Sequence, residues 1–213
     1  MNILILGPFP RNQRIYDFLI SQGYSNIKDT IDPVSIDFLR AHQIDFIASN
    51  GYAPIIKPDV TNEYKHKIIN IHNSYLPYGR GIYGNFWSFF EGTPKGVSLS
   101  FVDEGIDTGD IITRQEITLS NQETLRTSWQ ILQDAVEKLF CDTWQDIADG
   151  KISPTPQRTI KELGSYHNRM VSERFISLLK EKWDTPLYII EEMGRDFRAS
   201  ESDFWKKYGS DKY

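Results

Sequence analysis

Residues 45–74 read DFIASNGYAPIIKPDVTNEYKHKIINIHNS and contain the pattern that decides the fold. Residues 45–49 and 67–71 are short apolar runs, and each is followed by turn-forming or polar residues. A continuous apolar run of this length is typical of a buried strand in a parallel sheet. Asn2–Leu6, which reads NILIL and precedes Gly7-Pro8, has the same pattern. The first third of the chain is therefore predicted to supply three buried strands.

Helical patterns separate these strands. Residues 11–21 carry apolar side chains at helical spacing, and Gly23 follows as a stop signal. Asp32-Pro33 is predicted to cap a second helix, with the proline at its first helical position. Strands that alternate with helices favour an α/β fold with a Rossmann-type, mostly parallel sheet.

The second half of the chain continues the pattern. A loop at residues 76–84 precedes a short helix at 86–91, and two more strands are predicted at 96–102 and 110–117. A long helix is predicted at 122–149, with a capping box at 120–123 and a stop at Gly150. Two prolines in residues 151–157 are interpreted as the end of a catalytic domain, 1–157. Residues 158–213 form a small, polar C-terminal segment.

Composition narrows the function classes. The 213 residues are 39% hydrophobic and 25% charged, which is typical of a soluble globular protein and excludes disorder and coiled coil. No run approaches the roughly 20 apolar residues of a membrane-spanning helix, and the N-terminus does not resemble a secretory leader. A single cysteine excludes an internal disulfide and, with four scattered histidines, argues against structural zinc. The net charge of −5 argues against a dedicated nucleic-acid binder, so a cytoplasmic protein without membrane or nucleic-acid partners is expected.

Two clusters of polar residues are candidates for chemistry. Asn70 and His72 are two residues apart at the end of a predicted strand, so their side chains point to the same face. That end of an open α/β sheet is where ligands bind. Residues 102–110 read VDEGIDTGD, a glycine-containing loop with four carboxylates. Their spacing does not fit the EF-hand pattern, so no metal site is predicted.

These residues resemble a known family. Asn70-Ile71-His72, then Leu76-Pro77 with Arg80-Gly81, then residues 103–109 (DEGIDTG) resemble the signature of formyltransferases that use 10-formyltetrahydrofolate. The resemblance covers residues 45–157. Residues 85–89 (NFWSF) and 93–97 (TPKGV) look most like the branch that formylates nucleotide-linked amino sugars.

The resemblance implies a reaction and a site. The reaction is transfer of a formyl group from 10-formyltetrahydrofolate to the primary amine of a dTDP-, UDP- or GDP-linked amino-deoxysugar, for surface polysaccharide (O-antigen) synthesis, without a metal. The implied catalytic triad is Asn70, His72 and Asp107. The folate would lie along two loops, with these cofactor-binding residues: Tyr52, Ala53, Pro54, Asp103, Gly105 and Ile106. The expected substrate-binding residues are Arg11, Arg80, Trp87 and His167. If Arg80 is structural, Lys161, His167 and Arg169 are the next candidates for phosphate contacts. The C-terminal segment is expected to bind substrate or form a homodimer.

Each triad residue has a chemical role to fill. Formyl transfer passes through a tetrahedral oxyanion, and the attacking amine must lose a proton. The amide N–H of Asn70 can donate to that oxyanion. His72 can take the proton of the amine or, when protonated, donate to the oxyanion, because a histidine ordinarily titrates near pH ~6.5. Asp107 can orient the imidazole or hold a relaying water, and these alternatives remain open.

Other functions fit the sequence less well. Only about 45 residues precede the second predicted strand, so the amino-terminal half of the sheet is expected to be abbreviated relative to the family. The first loop, residues 7–11 (GPFPR), lacks the Gly/Ser-rich phosphate cradle of glycinamide ribonucleotide formyltransferase, which is the alternative enzyme. The chain is short for the two-domain initiator-tRNA formyltransferase, and its acidic balance fits tRNA poorly. A catalytically silent folate- or nucleotide-binding module is the alternative from another class.

Overall fold

The structure is a computed structural model that describes residues 1–120, 122–161 and 164–209. Its first part alternates strands and helices. In chain order these are β1 (Asn2–Leu6), α1 (Gln13–Ser21), β2 (Asn26–Thr30), α2 (Ile36–Ala41), β3 (Phe46–Ser49), α3 (Pro58–Glu63) and β4 (Ile68–His72). β1 pairs in parallel with β2 and β3, and β3 pairs in parallel with β4.

The next part completes the sheet. Its elements are β5 (Arg80–Gly81), α4 (Gly84–Glu91), β6 (Gly96–Phe101), β7 (Ile111–Glu116) and α5 (Leu125–Ala148). β6 pairs antiparallel with β4 and with β7, which gives a six-stranded sheet in the order β2-β1-β3-β4-β6-β7. The predicted α/β fold with a mostly parallel sheet is confirmed.

The C-terminal part contains short elements and three helices. A 3-10 turn (Gln157–Thr159) leads to β8 (Tyr166–His167) and α6 (Arg169–Ile176). A second 3-10 turn (Lys182–Asp184) precedes α7 (Leu187–Ala199) and α8 (Glu201–Tyr208). β8 pairs only with β5, outside the main sheet, among the strands that the structure describes.

Both faces of the sheet are covered, which explains the uninterrupted apolar run of β1. Ile3 and Ile5 pack into a cluster with α1 and α5, whereas Leu4 and Leu6 pack into a second cluster with α2 and α3. All four side chains are fully buried. Burying each such side chain stabilises the fold by roughly 1.5–3 kcal/mol, so a polar residue at any of positions 3–6 is strongly disfavoured.

A third cluster joins α4 to the C-terminal helices. It is rich in aromatic rings and includes Phe90, Phe175, Phe204 and Met193. α7 lies so close to α4 at Gly194 that a Cβ there would overlap the carbonyl of Phe90. The C-terminal segment is therefore packed against α4.

The structure corrects several element predictions. The strand β2 was missed because its sequence, NIKDT, is polar, as suits an edge strand with half-exposed side chains. Helix α2 is capped by the Ser35 hydroxyl and not by Asp32-Pro33. Helix α5 begins after Thr124, whose side chain forms a capping box with Thr127. The predicted box at 120–123 is wrong because Ser120 makes a local turn, and its residue 121 lies outside the described residues.

The amino-terminal half of the sheet is short in residues but supplies three parallel strands, β1, β2 and β3. This is possible because brief connections join these strands to α1 and α2. Within the described residues, no helix combines the length and the apolar character needed to cross a membrane.

Candidate active site

A cavity of about 600 Å³ lies at the carboxyl ends of β3 and β4. Five segments line it: residues 51–56, 70–73, 81–85, 101–109 and 166–169. Arg11, Ser49, Trp129 and Trp183 complete the wall. The position agrees with the rule that open α/β sheets bind ligands beyond the carboxyl ends of their strands.

The three predicted catalytic side chains meet in this cavity. The Nδ2 of Asn70 donates to Oδ1 of Asp107 at 2.7 Å, and Nε2 of His72 lies 3.8 Å from Oδ2 of Asp107. The His72 and Asp107 side chains are only 13% and 15% exposed. Their position follows from β4, which directs residues 70 and 72 to one face, as the spacing indicates. The carboxylate therefore acts at short range on both partners with little screening by water.

Backbone groups of residues 79–81 fix the orientation of the triad. Nε2 of His72 lies 3.1 Å from the carbonyl oxygen of Gly79, and the N–H of Gly81 donates to Oδ2 of Asp107 at 2.8 Å. A carbonyl oxygen only accepts, so the first contact requires a proton on Nε2. Both oxygens of the Asp107 carboxylate thus have donors.

The acidic loop is shaped by its own hydrogen bonds. Asp107 has a left-handed backbone, with φ of 54°, and Gln157 donates to its carbonyl oxygen at 2.9 Å. Oδ1 of Asp103 accepts from the N–H of Gly105 at 3.0 Å and from the hydroxyl of Thr108 at 2.6 Å. A Cβ on Gly109 would overlap a backbone carbonyl of β6, which explains the glycine there. These contacts hold the loop, and Asp107 is its one carboxylate that contacts the other triad residues.

All six predicted folate-contacting residues line the cavity. They come from two loops, residues 52–54 and 103–106. The hydroxyl of Tyr52 donates to the carbonyl of Asp32 at 2.7 Å and accepts from the N–H of Val34 at 3.2 Å, and burial raises the pKa of this phenol. Ile55 and Ile106 are 77% and 44% exposed at the rim, so they offer apolar surface to a ligand.

The predicted substrate-binding residues divide into two groups. Arg11 and His167 line the cavity. The Nε of Arg11 donates to Oδ1 of Asn50 at 3.0 Å, and its guanidinium lies 5.3 Å from the ring centre of Trp129. Burial lowers the pKa of Arg11 below its ordinary value, and the nearby Glu137 carboxylate offsets part of this shift. The Nε2 of His167 lies 2.6 Å from Oε1 of Glu91.

Arg80 and Trp87 lie outside the cavity wall. Trp87 is 2% exposed, donates from Nε1 to the hydroxyl of Ser172 at 3.0 Å, and stacks on His167 with ring centres 3.5 Å apart. Its ring belongs to the aromatic cluster and not to the cavity wall, and the substrate contact expected for it stays a prediction. Arg80 directs its Nε to the carbonyl of Ser165 at 3.4 Å, which is a structural contact. Of the alternative phosphate-binding candidates, Arg169 lines the cavity and Lys161 does not.

The sequence did not single out several wall residues. Trp129 lies on α5 at helical spacing, which is also the pattern of a core residue, and Trp183 and Tyr166 come from a segment without a recognisable pattern. The sequence also does not indicate a buried polar network that lies beside the cavity. Nε2 of Gln133 donates to Oε1 of Glu137 at 2.6 Å, and Oε1 of Gln133 accepts from Asn73, next to His72, at 3.0 Å.

Glu137 is 5% exposed, and burial raises the pKa of its carboxyl group.

Across residues 1–120, 122–161 and 164–209, no group of three or more His, Cys, Asp or Glu side chains is arranged to hold a metal ion.

Comparison with known proteins agrees with this geometry. A family model described as formyl transferase matches residues 11–143. The chain is 39% identical to the formyltransferase PseJ from Anoxybacillus kamchatkensis, whose crystal structure contains UDP-4,6-dideoxy-4-formamido-L-AltNAc and tetrahydrofolate. The TM-score is 0.82, and the alignment covers 89% of this chain and 97% of PseJ.

Two further relatives are more distant. Phosphoribosylglycinamide formyltransferase from Bacillus subtilis is 35% identical over 120 residues, which is 56% of this chain and 61% of that protein. The chain therefore spans about three fifths of this curated relative. A sugar N-formyltransferase from a Shewanella species is 18% identical with a TM-score of 0.70, covering 91% of this chain and 87% of the other, and supports the fold alone. The matched family model and the extent of the likeness to PseJ lead to one conclusion: the chain belongs to the formyl transferase family.

Proposed function

We propose that the protein transfers the formyl group of 10-formyltetrahydrofolate to the primary amine of a nucleotide-activated amino sugar. The observation that carries the proposal is the convergence of Asn70, His72 and Asp107 in one cavity of about 600 Å³. Predicted folate loops form one part of its wall, and the C-terminal residues 166–169 form another. The cavity volume lies within the ordinary range for small-molecule sites.

The contacts support a chemical role for each triad residue. One amide N–H of Asn70 is held by Asp107, so its second N–H remains to donate to the oxyanion of the tetrahedral intermediate. His72 carries a proton on Nε2 beside the Asp107 carboxylate, so its other ring nitrogen takes the proton of the attacking amine. The imidazolium returns that proton to N10 of the folate as the bond between N10 and the formyl carbon breaks. Asp107 stabilises the imidazolium that forms. No step requires a Lewis acid.

The acceptor is proposed to be a UDP-linked 4-amino-4,6-dideoxy sugar. Support comes from the 39% identity to PseJ, which was crystallised with a UDP-linked 4-formamido product. A diphosphate needs cationic partners, and the cavity offers Arg11, Arg169 and His167. Synthesis of a formylated surface sugar, a cytoplasmic location and a homodimer remain predictions from the sequence.

A panel assay tests the proposal. Chelator-treated protein is incubated with 10-formyltetrahydrofolate and with UDP-, dTDP- and GDP-linked amino sugars, together with glycinamide ribonucleotide. Mass spectrometry then detects the gain of one formyl group. We expect the UDP-linked 4-amino sugar to react fastest. Formylation of glycinamide ribonucleotide alone would replace the proposal by the purine reading, and a requirement for added metal would remove the metal-free mechanism.

A further inference from the structure

The catalytic loop, defined here as residues 79–81, acts on the triad through its backbone only. Gly79 supplies the carbonyl that lies 3.1 Å from His72 Nε2, and Gly81 supplies the N–H that binds Asp107 at 2.8 Å. A shift of this loop would therefore change the distance between the imidazole and the carboxylate. Displacements of about 1 Å at a reacting centre can cost on the order of 100-fold in rate.

The main sheet does not hold the catalytic loop. β5, which contains Arg80 and Gly81, pairs in parallel with β8 from the C-terminal segment. The N–H of Arg80 donates to the carbonyl of Ser165 at 3.0 Å, and the N–H of Gly79 donates to the hydroxyl of Ser165 at 2.9 Å. A Cβ on Gly81 would overlap the carbonyl of His167, so the two segments are in close contact. Ser165, which precedes β8, therefore supplies the hydrogen bonds that hold the N–H groups of Gly79 and Arg80.

A single carboxylate anchors β8. Oε2 of Glu91, at the end of α4, accepts from the hydroxyl of Ser165 at 2.7 Å. Oε1 of the same side chain lies 2.6 Å from Nε2 of His167. The Glu91 and His167 side chains are 22% and 18% exposed, so water competes weakly for these contacts. The His167 ring also stacks on Trp87, with ring planes 10° apart.

We propose that Glu91 is a positioning residue for the catalytic triad, acting through Ser165, His167 and the catalytic loop. The inference rests on the proposed function for its kinetic consequence. It makes the C-terminal segment a working part of the active site, because the contacts that orient His72 and Asp107 depend on it. Glu91 does not touch the reacting atoms, since it lies outside the wall of the catalytic cavity.

Kinetics and hydrogen exchange test the proposal together. Glu91→Ala should lower kcat for the amino sugar by about 10- to 100-fold, with the Kd for tetrahydrofolate nearly unchanged. Glu91→Gln keeps an acceptor for the Ser165 hydroxyl and should recover most of the rate. Backbone exchange in residues 77–82 should become faster in Glu91→Ala. The matched control is Glu191→Ala on α7, a carboxylate of 34% exposure that pairs with Lys95 and contacts neither β8 nor the loop.

The outcomes separate this inference from the proposed function. Unchanged exchange in residues 77–82, or faster exchange with kcat unchanged, overturns the positioning role. An equal loss in Glu191→Ala does the same. If Glu91→Ala does not fold, Ser165→Ala and Glu91→Gln provide the comparison. If the wild-type protein formylates no amino sugar, the proposed function fails, and the exchange measurements alone decide whether Glu91 holds the loop.

Discussion

Replacing Asp107 by asparagine tests the interaction between this carboxylate and His72, because the change removes a charge and alters the side-chain volume little. The carboxylate lies 3.8 Å from His72 Nε2. Two unit charges at that distance interact by about 4 kcal/mol at the effective dielectric of a partly buried site. At about 1.4 kcal/mol per tenfold change in rate, losing most of that stabilisation of the imidazolium lowers kcat by roughly 10²–10³-fold. In addition, the NH2 group of the new amide would face another hydrogen-bond donor, either Asn70 Nδ2 or the Gly81 N–H, so one hydrogen bond would be lost.

The assay is kcat at saturating 10-formyltetrahydrofolate and sugar nucleotide, with the melting temperature measured in parallel. The matched control is Asp110→Asn. Asp110 terminates the same acidic loop but faces His66, 3.7 Å away, and does not contact the triad. We expect the control to retain its rate. A kcat for Asp107→Asn within about threefold of the wild-type value, a loss well under 1 kcal/mol, would refute the assignment.

Three further outcomes are expected. His72→Asn should lower kcat by about 10²–10⁴-fold while the Kd for tetrahydrofolate holds, as measured by steady-state kinetics and calorimetry; unchanged turnover would remove His72 from the mechanism. Arg11→Ala should raise the KM for the sugar nucleotide by about 10- to 100-fold, the effect of one lost charge-assisted hydrogen bond, whereas Arg80→Ala should change it much less. Burial raises the pKa of Glu137 in the folded state, so the wild-type protein gives up stability as pH rises through that pKa. The melting temperature of Glu137→Gln relative to wild type should therefore increase from about pH 5 to about pH 8, and a constant difference would contradict this.

The sequence predicts the strands of the sheet that are buried on both faces. β1, β3 and β4 are continuous apolar runs because helices cover both faces, and such runs are recognisable without any partner information. The edge strand β2 has one neighbour and half-exposed side chains, so its residues carry no comparable signal. The cap of α5 was misplaced by a few residues because two adjacent stretches both contain capping side chains.

The candidate site also contains residues that the sequence predicts and residues that it does not. The shared direction of Asn70 and His72 is predictable because one strand sets it, whereas Asp107 is predicted because its loop resembles a known motif. The structure brings the three side chains together. The burial of Trp87 is not predictable from the sequence, because an aromatic residue near a motif has the same sequence signature in a cavity wall and in a core. The role of Glu91 could not be predicted, since its partners lie more than 70 positions away in the chain.

The pairing of β5 with β8 also has a consequence for the order of folding. The Gly79–Ser165 contact joins residues 86 positions apart, whereas β4, β6 and β7 pair through much shorter connections. Closing so long a loop costs entropy that the sheet and its two hydrophobic layers must offset beforehand. During synthesis the sheet and the loops predicted to bind folate can assemble while the catalytic loop still lacks its partner. The capacity to bind folate should therefore appear before the capacity to transfer the formyl group, and the docking of β8 is the step that separates them.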